Sequence, residues 1–281
     1  GRTRSFDGSR YRFGSRFDVE DIARPFAAAL ANPDADLLLA MLERGERVTV
    51  ELDLDVGYEG TGRSHNVIGE FDGRGDGEDF VVVGAHLDSW DLGTGAIDDG
   101  TGVGTIVAAA KLVMQHANRN PRRTLRVILY GAEEIGIYGG DQYAEAHADD
   151  IDRYVVGLES DFGPGRVWQL SSRVAEDALG IVDELQALLE PLGIERGNNS
   201  AGGGADIGAL RRLGMPVLGL SPDGSKYFDY HHNADDTLDK VDPDDLSQHV
   251  AAFTATTWVA LHIDDDFGRL APEPGNRACP E

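Results

Sequence analysis

Five short stretches of the chain carry side chains that can hold a divalent cation or move a proton, and nearly all follow an apolar run. After FVVVGA (80–85) come His86 and Asp88, and a glycine-rich stretch then leads to Asp98 and Asp99 ahead of a helical pattern. After TLRVILYGA (124–132) come Glu133 and Glu134, the run 152–160 ends against Asp161, and PVLGLS (216–221) precedes His231 and His232 in YHHNADDT. Taken singly, each has an ordinary explanation. A lone histidine is structural, Asp98 is an N-cap, and adjacent glutamates in an acidic chain are solvated. Taken together they ask for a counter-charge, because gathering five or more buried acids on one rim without one costs many kcal/mol. Divalent cations remove that cost, and imidazole mixed with carboxylate, without thiolate, suits zinc or a similar ion.

The donor count fits two ions. His86, Asp98, Glu134, Asp161 and His232 supply three anions and two neutral imidazoles, so two divalent cations and one bridging hydroxide make a neutral site. Sharing Asp98 gives each ion three protein contacts and room for water, the arrangement of two-metal hydrolytic sites. Glu133 is then a spare carboxylate beside a ligand and suits a general base. Asp88, two residues beyond His86, can accept that histidine's other ring N–H and set its tautomer.

The elements that must position these groups alternate. Apolar residues recur at helical spacing from Val19 to Glu46, with Asp34 a cap for the helix through DLLLAMLERGE; VTVELDLDV (48–56) and HNVIGEF (65–71) read as paired strands. Strands follow at 80–85, 124–132, 152–160 and 216–221, with helices at 99–117, 138–148, 174–192, 205–213 and 243–262 between and after them. This pattern predicts an α/β fold, a mostly parallel mixed central sheet with helices on both faces. Ligands of such sheets gather at the carboxyl ends of strands, which is where the candidate residues fall. Residues 1–18 read as a tail or the stub of a removed segment, and 19–281 as one catalytic domain.

GAHLDSWDLGTGAIDDGTG, GAEEIGIYGG, LESDFG and KYFDYHHNADDT resemble the co-catalytic di-zinc exopeptidases, the group of the double-zinc aminopeptidases, most nearly the plasma glutamate carboxypeptidase-like branch. The resemblance runs through residues 62–262 in order and spacing. It implies the zinc exopeptidase (phosphorylase/hydrolase-like) fold and an aminopeptidase or dipeptidase acting on the first peptide bond of short peptides. Two Zn2+ (or Co2+ or Mn2+) would be bound, one by His86 and Asp161, the other by Glu134 and His232, with Asp98 bridging. Glu133 would be the base and Asp88 the partner of His86, and the peptide between Asp98 and Asp99 would be cis. Many relatives support the oxyanion with a tyrosine elsewhere in the site; here His231 precedes His232, as in the carboxypeptidase-like branch, and is the candidate oxyanion donor. Asp206, at the end of the glycine-rich 197–206 loop that should face the site, and Tyr227 are candidate substrate contacts. A lid domain beside the core is expected to be absent here, with residues 19–50 its remnant. Two alternatives stay open: a single-zinc glutaminyl cyclase-like enzyme, which five ligands argue against, and a receptor-like member without catalysis, which would have lost ligands. A phosphate-cradling reading of GTGAIDDGTGVG fails, since two aspartates would face the phosphate and no loop lysine is present.

Composition narrows the partners. The 281 residues include 50 acidic and 25 basic side chains, a formal charge of -25, and only three lysines. Such a surface repels nucleic acid and anionic membranes, and no apolar run reaches membrane-span length. A small peptide or dipeptide is the expected partner, with a homodimer compatible with the sequence. The single cysteine, Cys279, makes no internal disulfide. The chain opens at Gly1 without a signal-peptide pattern and reads as a processed product. Its compartment stays open: the resemblance implies an extracellular protein, and the cytoplasm is the alternative. Many acids with few lysines also suit concentrated salt, where ions screen self-repulsion. On that reading, circular dichroism should show unfolding as salt falls below about 0.5 M; a fold indifferent to salt would remove it.

Overall fold

The structure, a computed structural model, describes residues 30–53, 60–74, 79–116 and 121–273. The chain divides into two compact units, Gly1–Ser64 and His65–Glu281. In the first, the described residues form one helix, α1 (Asn32–Glu43), with Pro33 in its first turn. Asp34 is not its cap. It lies inside the first turn, where a carboxylate still favours the helix dipole. The strand expected over 48–56 is not formed at 48–53, where Val50 and Leu52 are exposed, and 54–56 lie outside the described residues, as do the expected tail 1–18, residues 19–29 and Cys279. Alternation alone makes no strand without a partner, and Val67–Phe71, expected to pair with this segment, pairs with the strand Thr124–Tyr130 instead.

The second unit is a seven-stranded sheet, with β1 Val67–Phe71, β2 Phe80–His86, β3 Thr124–Tyr130, β4 Tyr154–Glu159, β5 Val167–Arg173, β6 Glu195–Arg196 and β7 Val217–Pro222. The order is β1-β3-β2-β4-β7-β5-β6. β3, β2, β4 and β7 run parallel, while β1 on β3 and β5 on β7 are antiparallel. This is the expected mixed, mostly parallel sheet. β5 and β6 were not legible. β5 has polar residues at Gln169, Ser171 and Ser172, and β6 is two residues long.

β2 is buried along its whole length, as its unbroken apolar run requires. Val81, Val83 and Ala85 pack with α2 (Thr101–His116), α4 (Leu179–Leu189) and α7 (Pro243–His262), through residues such as Ile106, Val113, Leu185 and Phe253. Phe80 and Val82 face α3 (Tyr138–Ala146) and α5 (Ile207–Arg212), through Tyr143, Ile207 and Leu210. Helices therefore cover both faces, and the carboxyl ends of the parallel strands open on one rim. The expected helix over 174–192 is a shorter α4 flanked by tight turns at both ends. A last short helix, α6 (Tyr227–Tyr230), precedes the double histidine. No helix among the described residues is long and apolar enough to cross a membrane.

α7 matches its expected bounds because both ends are marked. Pro243 occupies the first turn, and the Asp242 carboxylate accepts the Asp244 N–H at 2.9 Å and the Asp245 N–H at 3.4 Å. At the other end the buried Arg123 guanidinium donates to the Ala260 and Asp265 carbonyls. Asp242→Ala should lower stability by about 1 kcal/mol in chemical denaturation; an unchanged midpoint would show that the cap contributes nothing.

Candidate active site

The site is built first from the turn Ala96–Gly100 between β2 and α2. Gly95 enters it with φ 65°, and the Asp98–Asp99 peptide is cis, as the resemblance implies. Asp236, from the NADDT segment, clamps this turn: its carboxylate accepts Ile97 N–H at 2.5 Å and Asp98 N–H at 3.2 Å, and its carbonyl accepts Thr94 N–H. Asp99, not Asp98, caps the helix. Its Oδ1 accepts the Gly102 N–H and its Oδ2 the His86 N–H, both at 3.1 Å, so it ties the start of α2 to the end of β2. Gly102 has no room for a side chain here, since a Cβ would stand 2.1 Å from Asp99 Oδ1. With Asp99 and Asp236 holding the backbone, the Asp98 carboxylate is free to face inward.

Each oxygen of Asp98 faces a different group. Oδ1 lies 3.1 Å from His86 Nε2, and that nitrogen is 3.2 Å from Asp161 Oδ1. Oδ2 lies 3.2 Å from His232 Nε2, which is 2.9 Å from Glu134 Oε2. The five side chains from four strand ends thus meet in two halves joined at Asp98. The other histidine, His231, brings its Nε2 to 3.3 Å from the same Oδ2, and its ring stacks on His232 at 3.4 Å. His232 meets two carboxylates and sits in the left-handed region (φ 58°), a conformation that turns its ring inward. Asp98 Oδ2 and Glu134 Oε1 are buried without a hydrogen-bond partner, the unmet acceptors a cation would satisfy. Among the described residues, three sets of donors have the spacing of a metal site: His86 with Asp98 and Glu134, His86 with Asp99 and Asp161, and Asp98 with His231 and His232. The residues present therefore fit divalent cations.

Asp88 works differently from the expectation. The ring partner of His86 is the Asp88 main-chain carbonyl, which accepts Nδ1–H at 2.9 Å, while the Asp88 carboxylate stays 4.0 Å away. The carboxylate instead accepts the N–H groups of Glu133 and Glu134, at 3.0 and 3.1 Å, and so fixes the turn that carries both glutamates. Ala132, just before them, is held at φ 60°. With Nδ1 on this carbonyl, Nε2 of His86 faces the centre of the site.

The electrostatics follow from burying so many acids together. Burial, then the carboxylates of Asp161, Asp206 and Glu134, push Glu133 up to about 8, against the pull of His86. Burial likewise raises Glu134 and Asp161, although His232 and His86 oppose it. Burial disfavours the His86 and His232 imidazolium ions, yet facing carboxylates outweigh it, raising His232 to about 9 and His86 further. Asp98 goes the other way: burial would raise it, but His232 and His86 beside it hold it below the usual carboxylate range.

Two candidate substrate contacts are corrected. Asp206 is 0% exposed, with Oδ1 on the Gly140 N–H at 2.9 Å, so it cannot meet a substrate amine; burial raises it to about 7. It joins a buried brace with Glu159, whose carboxylate accepts the N–H groups of Asp206 and Ile207 at the start of α5. The Tyr227 ring is also buried, stacked on Phe162 at 4.4 Å and set 4.9 Å from the His231 ring, so it positions His231. Sequence reasoning missed Asp99, Glu159 and Asp236 as supports. NADDT marked Asp236 only by its nearness to the double histidine. Trp90, in HLDSW, packs on His232 at 5.6 Å and was also missed.

A family model described as Peptidase family M28 matches residues 66–257. Carboxypeptidase Q of Rattus norvegicus is 34% identical over 238 residues, covering 85% of this chain and 50% of that protein. The crystal structure of a peptidase M28 precursor from Shewanella amazonensis SB2B is similar at TM-score 0.81 and 44% identity, over 89% of this chain and 58% of that one. A zinc aminopeptidase from Bacillus subtilis, at TM-score 0.57 and 20% identity over 74% and 53% of the two chains, shares the fold. The chain spans about half the length of the curated relatives it matches.

Because the Asp88 carboxylate holds the glutamate turn, Asp88→Ala should fold normally and bind zinc roughly 10–100-fold more weakly, as loss of a ligand's support does. Competition with a chromophoric chelator reads this directly. Unchanged affinity would reduce Asp88 to its main-chain role.

Proposed function

The chain belongs to peptidase family M28, and on that premise we propose that it is a metal-dependent exopeptidase hydrolysing the first peptide bond of dipeptides or short peptides. One observation carries the reading: the two oxygens of a single buried aspartate, Asp98, each face their own histidine and carboxylate. His86 and Asp161 would hold one zinc ion, Glu134 and His232 the other, with Asp98 shared. Cobalt or manganese would suit the same donors. Bound there, the ions would supply Lewis acidity to the scissile carbonyl and acidify water.

The remaining work falls to the chain's own side chains. Glu133 binds no ion in this reading. As a carboxylate, which bound cations would favour against the burial and neighbouring acids that raise its pKa, it can take a proton and return it to the leaving amine. His231, on the other side of Asp98 and packed by Tyr227, would donate a hydrogen bond to the carbonyl oxygen as negative charge develops there. The Asp88 carboxylate keeps Glu133 aimed through the Glu133 N–H. A free substrate amine is drawn to a rim dense in carboxylates on a chain of net charge -25.

Glu133→Gln should fold, bind zinc as the wild type does and lose roughly 10²–10⁴-fold in kcat on dipeptides. Chelation should abolish activity and zinc should restore it, and dipeptides with a blocked amine should be poor substrates. A Glu133→Gln variant that keeps its activity would dismiss Glu133 as the base, and activity that survives complete removal of metal would end the proposal.

A further inference from the structure

Two consecutive residues of α7 are polar and buried, Gln248 at 6% exposure and His249 at 1%. Such groups are costly unless bonded, and both bond to the connection from β4 to β5. Gln248 accepts the Val167 N–H and donates to the Val167 carbonyl, each at 2.8 Å, and donates to the Leu192 carbonyl at 3.0 Å. His249 reaches further back along the chain. Its Nδ1 is 2.9 Å from the Gly165 carbonyl, and its Nε2 is 3.2 Å from Ser160 Oγ.

The direction of these bonds follows from the atoms. A carbonyl oxygen only accepts, so Nδ1 donates to Gly165. Burial pushes the His249 pKa down, and the neutral ring offers Nε2 to the Ser160 O–H. The ring is itself fixed, stacked on Phe253 one turn along α7 with centroids 5.1 Å apart and planes 7° apart. One held imidazole therefore pins both ends of 160–165, and Asp161 lies inside that span. Between the ends, Phe162 stacks on Tyr227 at 4.4 Å, and Gly163 (φ 74°) is so close to the same ring that a Cβ would stand 3.0 Å from it. Elsewhere on the rim carboxylates do the holding: Asp99 and Asp236 around Asp98, and Asp88 at the glutamate turn. At Asp161 an imidazole has that task.

We propose that His249 is a positioning residue for Asp161, and that it governs the ion position of His86 and Asp161 without governing that of Glu134 and His232. The inference rests on the proposed two-ion site. Fixing the backbone on both sides of Asp161 limits where its carboxylate comes to rest, and Asp161 Oδ1 lies 3.2 Å from His86 Nε2. A group that orients a ligand contributes to affinity without touching the ion. Glu134 and His232 stand on other turns, so they keep their places when this one loosens.

Competition with a chromophoric chelator on the full-length protein resolves the two zinc-binding steps. His249→Phe keeps an aromatic ring against Phe253 and removes both hydrogen bonds. It should weaken one step roughly 10–100-fold and leave the other within about twofold. Ser160→Ala removes one of the two bonds and should weaken the same step roughly fivefold; should His249→Phe not fold, this variant decides. The step is assigned by a cycle. Added to Asp161→Asn, His249→Phe should change the remaining affinity less than about twofold, whereas added to Glu134→Gln it should keep its full effect. Gln248→Leu, which frees β5 rather than the Asp161 turn, should lower the unfolding midpoint and leave both steps as in the wild type. Both steps unchanged in Ser160→Ala and His249→Phe, both weakened alike, a full effect in Asp161→Asn, or the same split from Gln248→Leu overturns this inference alone. A wild type that takes up fewer than two zinc ions overturns the two-ion site and this inference with it.

Discussion

A single carboxylate faced from both sides by imidazole is the constraint around which the rim is organised. Asp98 is buried, its two oxygens address different histidines, and each histidine also meets a second carboxylate. In a low-dielectric setting such a set is stable only if charges alternate or a cation enters. Burial and the facing charges push the two imidazoles toward protonation and Glu133, Glu134 and Asp161 toward their neutral forms. Divalent ions would displace those protons and satisfy the acceptors left unmet on Asp98 and Glu134.

Much of the surrounding structure serves to hold backbone, so that side chains stay free. Asp236, Asp99 and the Asp88 carboxylate all accept main-chain N–H groups of the turns that carry Asp98, Glu133 and Glu134. Glu159 and Asp206 do the same one layer deeper, linking the end of β4 to α5 and α3. Acidic residues that looked interchangeable by composition therefore divide into two kinds. One kind points at the centre, and the other is consumed by the backbone.

Several features are legible in the sequence. The apolar runs of β2, β3 and β4 are rich in valine or isoleucine and β7 opens on VLGL, so a buried parallel sheet was the consistent reading, and α7 carries Asp242 and Pro243 at its start. The strand β5 was not legible, because alternation of Ser, Gln and Leu on a half-open face resembles a loop. The segment 48–56 erred in the other direction: its alternation is as regular as any in the chain, yet β1 pairs with β3 and residues 48–53 carry no strand. A period-2 pattern states that a strand could form. Which neighbour it meets is a property of the whole sheet.

Residue types and their order along the chain determined which groups can do chemistry here, because a strand end followed by His, Asp or Glu must deliver that group to the same rim once the strands run parallel. Roles within the rim were decided in three dimensions. Asp88 meets His86 by its carbonyl because that atom is nearer than its carboxylate, Asp206 is sealed beneath α3, and Tyr227 supports His231. For Asp88 the difference is about an ångström, and the places of Asp206 and Tyr227 are set by packing among segments distant in sequence. No local spacing rule carries that information.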